Sequence, residues 1–172
     1  EGESLTDTTA NNATPGGKTK LDLEVAAIKI EAEGVKSFEL RAADGSELPA
    51  FTAGAHIETH LPSDMIRSYS LCSDPADRTR YVFAVLREAE GRGGSRYLHD
   101  EVHEGDTLTI TTPRNHFPLA GREARHHLLL AGGIGVTPMI SMIAELEARK
   151  APWSMHYCTR SPDRTAFLDI LK

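Results

Sequence analysis

Residues 128–138 read LLLAGGIGVTP, and the run MISMIAELEARK follows directly. Aliphatic residues, then a glycine cluster, then apolar residues at helical spacing predict a strand, a tight turn and a helix. Backbone amides in such a turn can approach an anion, and the helix dipole favours its negative charge. Gly132, Gly133 and Gly135 would permit that approach, with Thr137 as the N-cap of the helix. Taken alone the motif is a weak signal, because it is not the G-x-G-x-x-G fingerprint and a simple capped turn would look the same.

The sequence after this turn continues to alternate between strands and helices. HHLLLA, at residues 126–131, reads as a strand of a parallel sheet covered on both faces, and a helix is predicted over residues 137–149. SMHYCTR then reads as a second strand and RTAFLDILK as a second helix. This β-α-β-α order is the first half of a doubly wound α/β nucleotide-binding domain.

The sequence before this region has the pattern of a small antiparallel β-barrel or sandwich, and we favour the barrel. Short runs rich in β-branched and aromatic residues alternate with turn-formers such as Asp44-Gly45. Six strands are predicted in LDLEVAAIKI, VKSFELRA, AHIETHL, RSYSLCS, RYVFAVLR and TLTITTP, with one helix in SRYLHDEV. Residues 1–20 hold one leucine and no aromatic residue, which predicts a disordered tail. The barrel would then cover residues 21–122 and the half-domain residues 123–172.

Composition limits the classes of partner and compartment. The net charge of −6 argues against nucleic acid, whose phosphates are bound by clustered Lys and Arg. No apolar run approaches the roughly 20 residues that span a bilayer, and there is no apolar signal core, which predicts a cytoplasmic protein with no membrane partner. Cys72 and Cys158 cannot supply the four thiolates of a plant-type iron–sulfur cluster, and both are predicted to be buried in strands. The eight histidines show no metal-ligand arrangement, so no metal site is predicted and each is expected at the surface.

Two further stretches of the barrel have residues suited to binding phosphate. In the strand that contains Arg67-Ser68-Tyr69-Ser70, the Arg and Tyr side chains point to one face, where a guanidinium could hold a phosphate while the ring packs on a flat heterocycle. An ordinary exposed Arg–Tyr pair is the alternative. Gly91-Arg92-Gly93-Gly94-Ser95 precedes the predicted helix, and its glycines with a capping serine would also suit a phosphate. A plain loop is the alternative there.

Six motifs, in this order and spacing, resemble the ferredoxin–NADP reductase superfamily. They are RSYSLCSDP, GRGGSRYLHD, the EGD turn, PRNHFPL, AGGIGVTPM and YCTRSPDRTAF, and they cover the chain from about Leu21 to its last residues. The resemblance is closest to the branch of phthalate dioxygenase reductases and vanillate demethylase reductases. It implies a flavin on the β-barrel and a nicotinamide dinucleotide on the second domain. Enzymes of that branch pass electrons from NADH through FMN to a ferredoxin-type cluster and on to a Rieske oxygenase.

The resemblance also assigns roles to residues that match the family's motifs. It places flavin contacts at Arg67, Ser68, Tyr69, Ser70, Val85, Leu86, Arg87, Gly93, Gly94 and Ser95. It places nicotinamide-dinucleotide contacts at Gly132, Gly133, Gly135, Thr137 and Arg160. Ser70, near the reactive N5 of the flavin, and Thr137, near the flavin ring, are the candidate catalytic residues.

The identity of each cofactor is left with an alternative. FMN is expected from the branch, and FAD is the alternative because the glycine–serine helix start would suit either. Arg160 could bind a 2′-phosphate and favour NADPH, whereas the nearby Asp163 and the branch favour NADH; a solvated surface arginine is equally consistent.

The sequence departs from the family after the glycine turn. It has neither the Cys-Gly-Pro turn nor the four cysteines of a ferredoxin domain, so we expect a fragment of a longer reductase. A 2Fe-2S cluster would lie in a domain absent from this chain, and the expected partner is that ferredoxin domain or a Rieske oxygenase component. Two alternatives stay open: a flavin reductase serving another acceptor, and a flavin-binding or docking module without turnover.

Overall fold

The structure is a computed structural model that describes residues 19–121 and 123–171. Its strands are β1 (Lys20–Ala32), β2 (Val35–Arg41), β3 (His56–Leu61), β4 (Met65–Ser70), β5 (Tyr81–Leu86), β6 (Thr107–Thr111), β7 (His127–Gly132) and β8 (Trp153–Cys158). Its α-helices are α1 (Gly94–Asp100) and α2 (Thr137–Arg149). None of the described helices is long and apolar enough to cross a membrane.

The first six strands form one antiparallel sheet in the order β4-β3-β6-β1-β2-β5. Its two edge strands meet where a bridge joins Leu71 to Phe83 and the backbone N–H of Cys72 donates to the Val82 carbonyl at 2.8 Å. This junction closes the sheet into the predicted barrel. Beyond it, no ladder links β4 to β5 in the part of the chain that the structure describes, which leaves an opening between these strands.

Alternation of apolar residues along the strands builds the barrel core. Side chains at every second position of a strand point to the same face, so the apolar set of each strand collects inside. Phe38 stacks on Phe83 at 5.3 Å between ring centroids, and Leu98 of α1 packs into the same core. Each such fully buried side chain stabilises the fold by about 1.5–3 kcal/mol.

The second region contains a two-stranded parallel sheet, β7 beside β8, with α2 on one face. Leu129 and Ala131 are buried beneath α2, whereas Leu128 and Leu130 are 56% and 64% exposed. The prediction of a sheet covered on both faces is therefore wrong for the described residues. The continuous apolar run of β7 carried no information about which face would be covered.

The second predicted helix, RTAFLDILK, is not formed. Pro162–Arg164 makes one turn of 3₁₀-helix, and residues 166–170 form a turn. Phe167 is buried and has a φ of 63°, which no right-handed helix includes. The ring packs into the core under α2, and this packing determines the local conformation in place of the helix that the sequence periodicity predicts.

A tight junction joins the barrel to α2. The hydroxyl of Ser141 donates to the Pro138 carbonyl at 2.9 Å and accepts from the backbone N–H of Gly54 at 3.2 Å. Gly54 has a φ of 91°, and a Cβ placed there would lie 1.9 Å from the Phe117 carbonyl oxygen. Only glycine fits where these three segments meet. The apolar cluster under α2 also includes barrel residues, namely Val35, Ala53, Cys72 and Ala84.

Several smaller predictions are corrected by these positions. Cys72 is buried as predicted, but Cys158 is exposed because it lies on the uncovered face of β8. His99 and His127 are buried rather than on the surface. β1 begins at Lys20, so this residue belongs to the sheet rather than to a tail, and the carbonyl of the preceding Thr19 accepts from the Thr112 N–H at 3.0 Å. The rest of the predicted tail, residues 1–18, lies outside the described residues, and the domain boundary at 122/123 stays a prediction.

Candidate flavin and nucleotide site

The opening between β4 and β5 is a pocket of about 400 Å³, within the size range of small-molecule sites. It is closed on one side by the start of α1 and on the other by the start of α2. Of the residues singled out from the sequence, the pocket brings together Arg67, Ser68, Tyr69, Ser70, Leu86, Gly94, Ser95, Gly135 and Thr137. It thus joins three motifs that lie far apart in the sequence, and both candidate catalytic residues are among them.

Arg67 crosses the start of α1 at very close range. A Cβ placed on Gly94 would lie 2.8 Å from both Cγ and Nε of Arg67, so the absence of a side chain at residue 94 makes room for the arginine. The guanidinium donates to the carbonyl of Ile66 at 2.8 Å and to the carbonyl of Arg92 at 3.1 Å. These bonds use two of its five N–H groups, and the described residues give no partner to the other three. They can therefore bind an anion.

Tyr69 extends the aromatic stack of the barrel into the pocket. Its ring stacks on Phe83 at 5.2 Å between centroids. Burial raises the pKa of the Tyr69 phenol to about 12, an effect that Arg67 opposes and Glu88 reinforces. The phenol is therefore neutral near pH 7 and available as a hydrogen-bond donor beside a flat apolar surface.

The backbone of β5 faces the pocket at alternate residues. The backbone N–H and C=O groups of Val82 point away from β2. Its carbonyl accepts from the backbone N–H of Cys72, and its N–H donates to the Ser73 hydroxyl at 3.1 Å. Antiparallel strands repeat this orientation every two residues, so Ala84 and Leu86 present their N–H and C=O groups to the opening.

This alternation corrects one of the predicted flavin contacts. Both Ala84 and Leu86 line the pocket, whereas Val85 does not. The Val85 side chain is in the barrel core and its carbonyl is 2.8 Å from Nε2 of buried His99. The residues of β5 that face the pocket are therefore the neighbours of Val85 and not Val85 itself.

The start of α1 differs from the predicted capped helix. The N-cap is Gly93, with a φ of 90° and no side-chain cap. Ser95 lies inside the helix, and its hydroxyl accepts from the backbone N–H of Glu88 at 3.1 Å. Ser95 therefore ties α1 to the end of β5, a link that Arg87 and Asp100 repeat with an ion pair of 2.8 Å. Gly93 is not among the residues that line the pocket between β4 and β5 and borders a separate groove along α1 instead.

The glycine turn also differs in detail from its prediction. Gly133–Val136 forms a 3₁₀ turn that runs directly into α2, so Thr137 is the first helical residue and Val136 is the N-cap. The Thr137 hydroxyl donates back to the Ile134 carbonyl at 3.0 Å instead of accepting from the helix. Thr137 is buried at the wall of the pocket, where its fixed hydroxyl oxygen is an acceptor.

A second pocket, of about 940 Å³, adjoins the first, and both are lined by Leu86 and Ile134. Of the residues singled out from the sequence, it contains Leu86, Arg87, Gly132, Gly133 and Arg160. Asp163 is not among its lining residues and borders a separate shallow groove instead.

Sequence reasoning missed four charged residues that line the two pockets. Arg92 and Glu88 line the first, and Glu33 and Arg164 line the second. Arg92 lies within the GRGGS motif, so the sequence contains a local signal for it. Glu33 has no local signal, because its partner Arg164 is 131 positions away.

Comparison with known proteins identifies the family of the barrel region. The family model described as the oxidoreductase FAD-binding domain matches residues 22–118. Vanillate O-demethylase oxidoreductase of Pseudomonas putida is 49% identical over 152 residues, which cover 88% of this chain and 47% of that protein. Phthalate dioxygenase reductase of Burkholderia cepacia is 44% identical over 159 residues, covering 92% of this chain and 49% of that protein.

A solved structure of phthalate dioxygenase reductase shares the fold. It aligns with a TM-score of 0.85 and 44% identity, covering 88% of this chain and 47% of the other. That protein is described as a modular structure for electron transfer from pyridine nucleotides to a 2Fe-2S centre. The chain spans about half the length of the curated relatives it matches.

Proposed function

The chain belongs to the family of oxidoreductase FAD-binding domains, and from this membership we propose that it is the flavin module of an NADH-dependent oxidoreductase. It would pass electrons from NADH through FMN to an iron–sulfur acceptor that serves a Rieske-type oxygenase or demethylase. The observation that carries the proposal is the pocket between β4 and β5. It brings the RSYS strand, the start of α1 and the GGIGVTP turn to one site.

The phosphate of the flavin would lie beside Arg67 and the start of α1. Three N–H donors of Arg67 have no partner there among the described residues, and Arg92 lines the same pocket. A terminal phosphate monoester carries about −1.5 to −2 charges near pH 7, which two guanidinium groups can match. The pyrophosphate of FAD carries a similar charge, so it is the branch resemblance that supports FMN, although the family is named for FAD.

The isoalloxazine ring would occupy the part of the pocket that Tyr69 and Ser70 line. Tyr69 offers a flat aromatic surface already fixed by its stacking on Phe83. The backbone groups of Ala84 and Leu86 can bond the polar edge of the ring, and the hydroxyl of Ser70 would bond near N5. When bound, the flavin accepts a hydride from a nicotinamide and passes electrons on singly. The residues of this chain hold the ring, exclude water from one face and supply hydrogen bonds to its edge.

The nicotinamide dinucleotide would enter from the second pocket. Gly132 and Gly133 lack side chains where its pyrophosphate would lie, and no described atom lies within 4 Å of a Cβ placed on either. Leu86 and Ile134 line both pockets. A nicotinamide ring that extends from the second pocket past these two residues would therefore reach the proposed position of the flavin. Gly135 and Thr137 would then contact it from the side of α2. Holding two rings in contact geometry is what makes a hydride step fast.

The electron acceptor is proposed from the relatives, whose names identify them as reductases of vanillate demethylase and phthalate dioxygenase systems. A ferredoxin domain or an oxygenase component that carries a 2Fe-2S centre would accept the electrons. The described residues contain no cluster of three or more His, Cys, Asp or Glu able to hold a metal ion.

The cofactor can be identified directly. The chain should be loaded separately with FMN and FAD, freed of excess, and its bound flavin released by denaturation and weighed by mass spectrometry. We expect FMN to be bound more tightly and to be reduced by NADH under anaerobic conditions, followed at the flavin absorbance. Preference for FAD would overturn the cofactor assignment alone. Failure to bind either flavin would overturn the proposal as a whole.

A further inference from the structure

The second pocket contains an ion pair that links the barrel to the C-terminal segment. Nε and Nη2 of Arg164 donate to the two carboxylate oxygens of Glu33 at 3.2 and 3.3 Å. Glu33 lies in the turn between β1 and β2, and its backbone N–H donates to the Asp163 carbonyl at 2.8 Å. The carboxylate is therefore held in place by its own backbone as well as by its charged partner.

Among the described residues, the three arginines that line this pocket differ in whether a carboxylate already pairs with them. Arg87 is paired with Asp100, and the fork of Arg164 is occupied by Glu33. Arg160 makes no side-chain hydrogen bond or ion pair within the described ranges, 19–121 and 123–171. Glu33 supplies the carboxylate that lines this pocket. Asp163, which the sequence suggested for this role, lines the neighbouring groove.

We propose that Glu33 is a specificity-determining residue that makes this site favour NADH over NADPH. The inference rests on the proposed function and deepens it. A 2′-phosphate adds about −1.5 to −2 charges, which a carboxylate in the same pocket repels. Glu33 also occupies the planar fork of Arg164, which could otherwise bind that phosphate with two parallel hydrogen bonds. The same carboxylate can accept hydrogen bonds from the free ribose hydroxyls of NADH.

The test is the variant Glu33→Gln in the FMN-loaded chain. Binding of NAD⁺ and NADP⁺ should be titrated by shifts of backbone amide signals in NMR, which measures weak as well as tight binding, at low ionic strength. The unaltered chain should bind NAD⁺ more tightly. Glu33→Gln should raise the affinity for NADP⁺ relative to NAD⁺ about tenfold, the size expected of one charge-assisted contact. Adding Arg164→Gln to this variant should remove the gain.

The matched control is Glu47→Gln. Glu47 pairs with Arg78 at 3.3 Å on the barrel surface and lines neither pocket, so its loss changes the net charge equally. If both nucleotides bind but their affinity ratio is unchanged in Glu33→Gln, or shifts equally in Glu47→Gln, the role of Glu33 is refuted. Tighter binding of NADP⁺ by the unaltered chain refutes it too. If neither nucleotide binds any variant, the nucleotide site of the proposed function fails and this inference fails with it.

Discussion

The barrel and the second region hold their functional residues by different means. In the barrel, Arg67, Tyr69 and Leu86 lie on strands of a six-stranded antiparallel sheet with its own apolar core. The glycine turn of the second region rests on a two-stranded sheet with one exposed face, and its core includes barrel residues. The barrel has an apolar core of its own, whereas the core of the second region is shared with the barrel. A perturbation at the junction should therefore reach the nucleotide side of the site before the flavin side.

The largest expected effect comes from the junction itself. Gly54→Ala would force an alanine to a φ of 91° and place its Cβ against the Phe117 carbonyl, a backbone atom that cannot move without displacing its segment. We expect a loss of about 4 kcal/mol or more in the free energy of unfolding, measured by urea denaturation. Gly45→Ala is the control, because Gly45 also has a positive φ, 72°, but no neighbour within 4 Å, and it should cost only about 1–2 kcal/mol. Equal losses in the two variants would mean that the junction is not tightly packed.

The two faces of β7 should respond very differently to truncation. Leu129→Ala opens a cavity beneath α2 and should cost about 2–4 kcal/mol, while Leu130→Ala, on the exposed face, should change stability by less than about 0.5 kcal/mol. Both losses are read from urea denaturation of the same chain. A large loss in Leu130→Ala would show that the outer face is covered, and the contrast with the barrel would disappear.

Arg67→Ala tests the barrel side of the comparison. Loss of a charge-assisted contact of about 1.5–3 kcal/mol should weaken FMN binding roughly tenfold or more, measured by quenching of flavin fluorescence. Arg41→Ala is the control, because Arg41 pairs with Glu39 on the barrel surface away from both pockets. Stability should change little in either variant. Unchanged FMN affinity in Arg67→Ala would remove Arg67 from the site.

The smallest expected effect is a pH dependence of folding stability that arises from His99 in the barrel region. Burial lowers the pKa of His99, whose ring is hydrogen-bonded to the Val85 carbonyl. The unfolded chain therefore binds a proton more readily at this residue, so its contribution to stability is complete above about pH 6.5 and is lost as pH falls below that value. Urea midpoints between pH 5 and 8 should show this slope, and His99→Gln should flatten it. A slope that survives in His99→Gln would come from other groups.

The sequence predicted much of this arrangement because the relevant signals are local. Runs rich in β-branched and aromatic residues located the six barrel strands, the SRYLHDEV segment was predicted as the helix that α1 forms, and the fold class is confirmed. The motifs RSYS, GRGGS and GGIGVTP were expected at cofactors, and the structure brings them to adjoining pockets. Local pattern was sufficient wherever one short segment supplied both the geometry and the chemistry.

The features that the sequence did not predict depend on contacts between distant residues. The left-handed Phe167 is decided by packing under α2, and the exposure of Cys158 by the uncovered face of β8. The hydroxyls of Ser95 and Thr137 bond to carbonyl or amide groups in neighbouring turns, which no capping rule includes. Glu33 meets Arg164 only through the full fold.

The unfinished closure of the barrel has a consequence for the protein before it meets its cofactor. Past the bridge between Leu71 and Phe83, the edge of β5 that faces away from β2 has no strand partner within the described residues, and an unpaired strand edge is a template for joining another chain. A flavin bonded along that edge would act as a substitute strand, completing the hydrogen bonding that the polypeptide leaves open. Loading with the cofactor would then be a safeguard against self-association as well as the start of electron transfer.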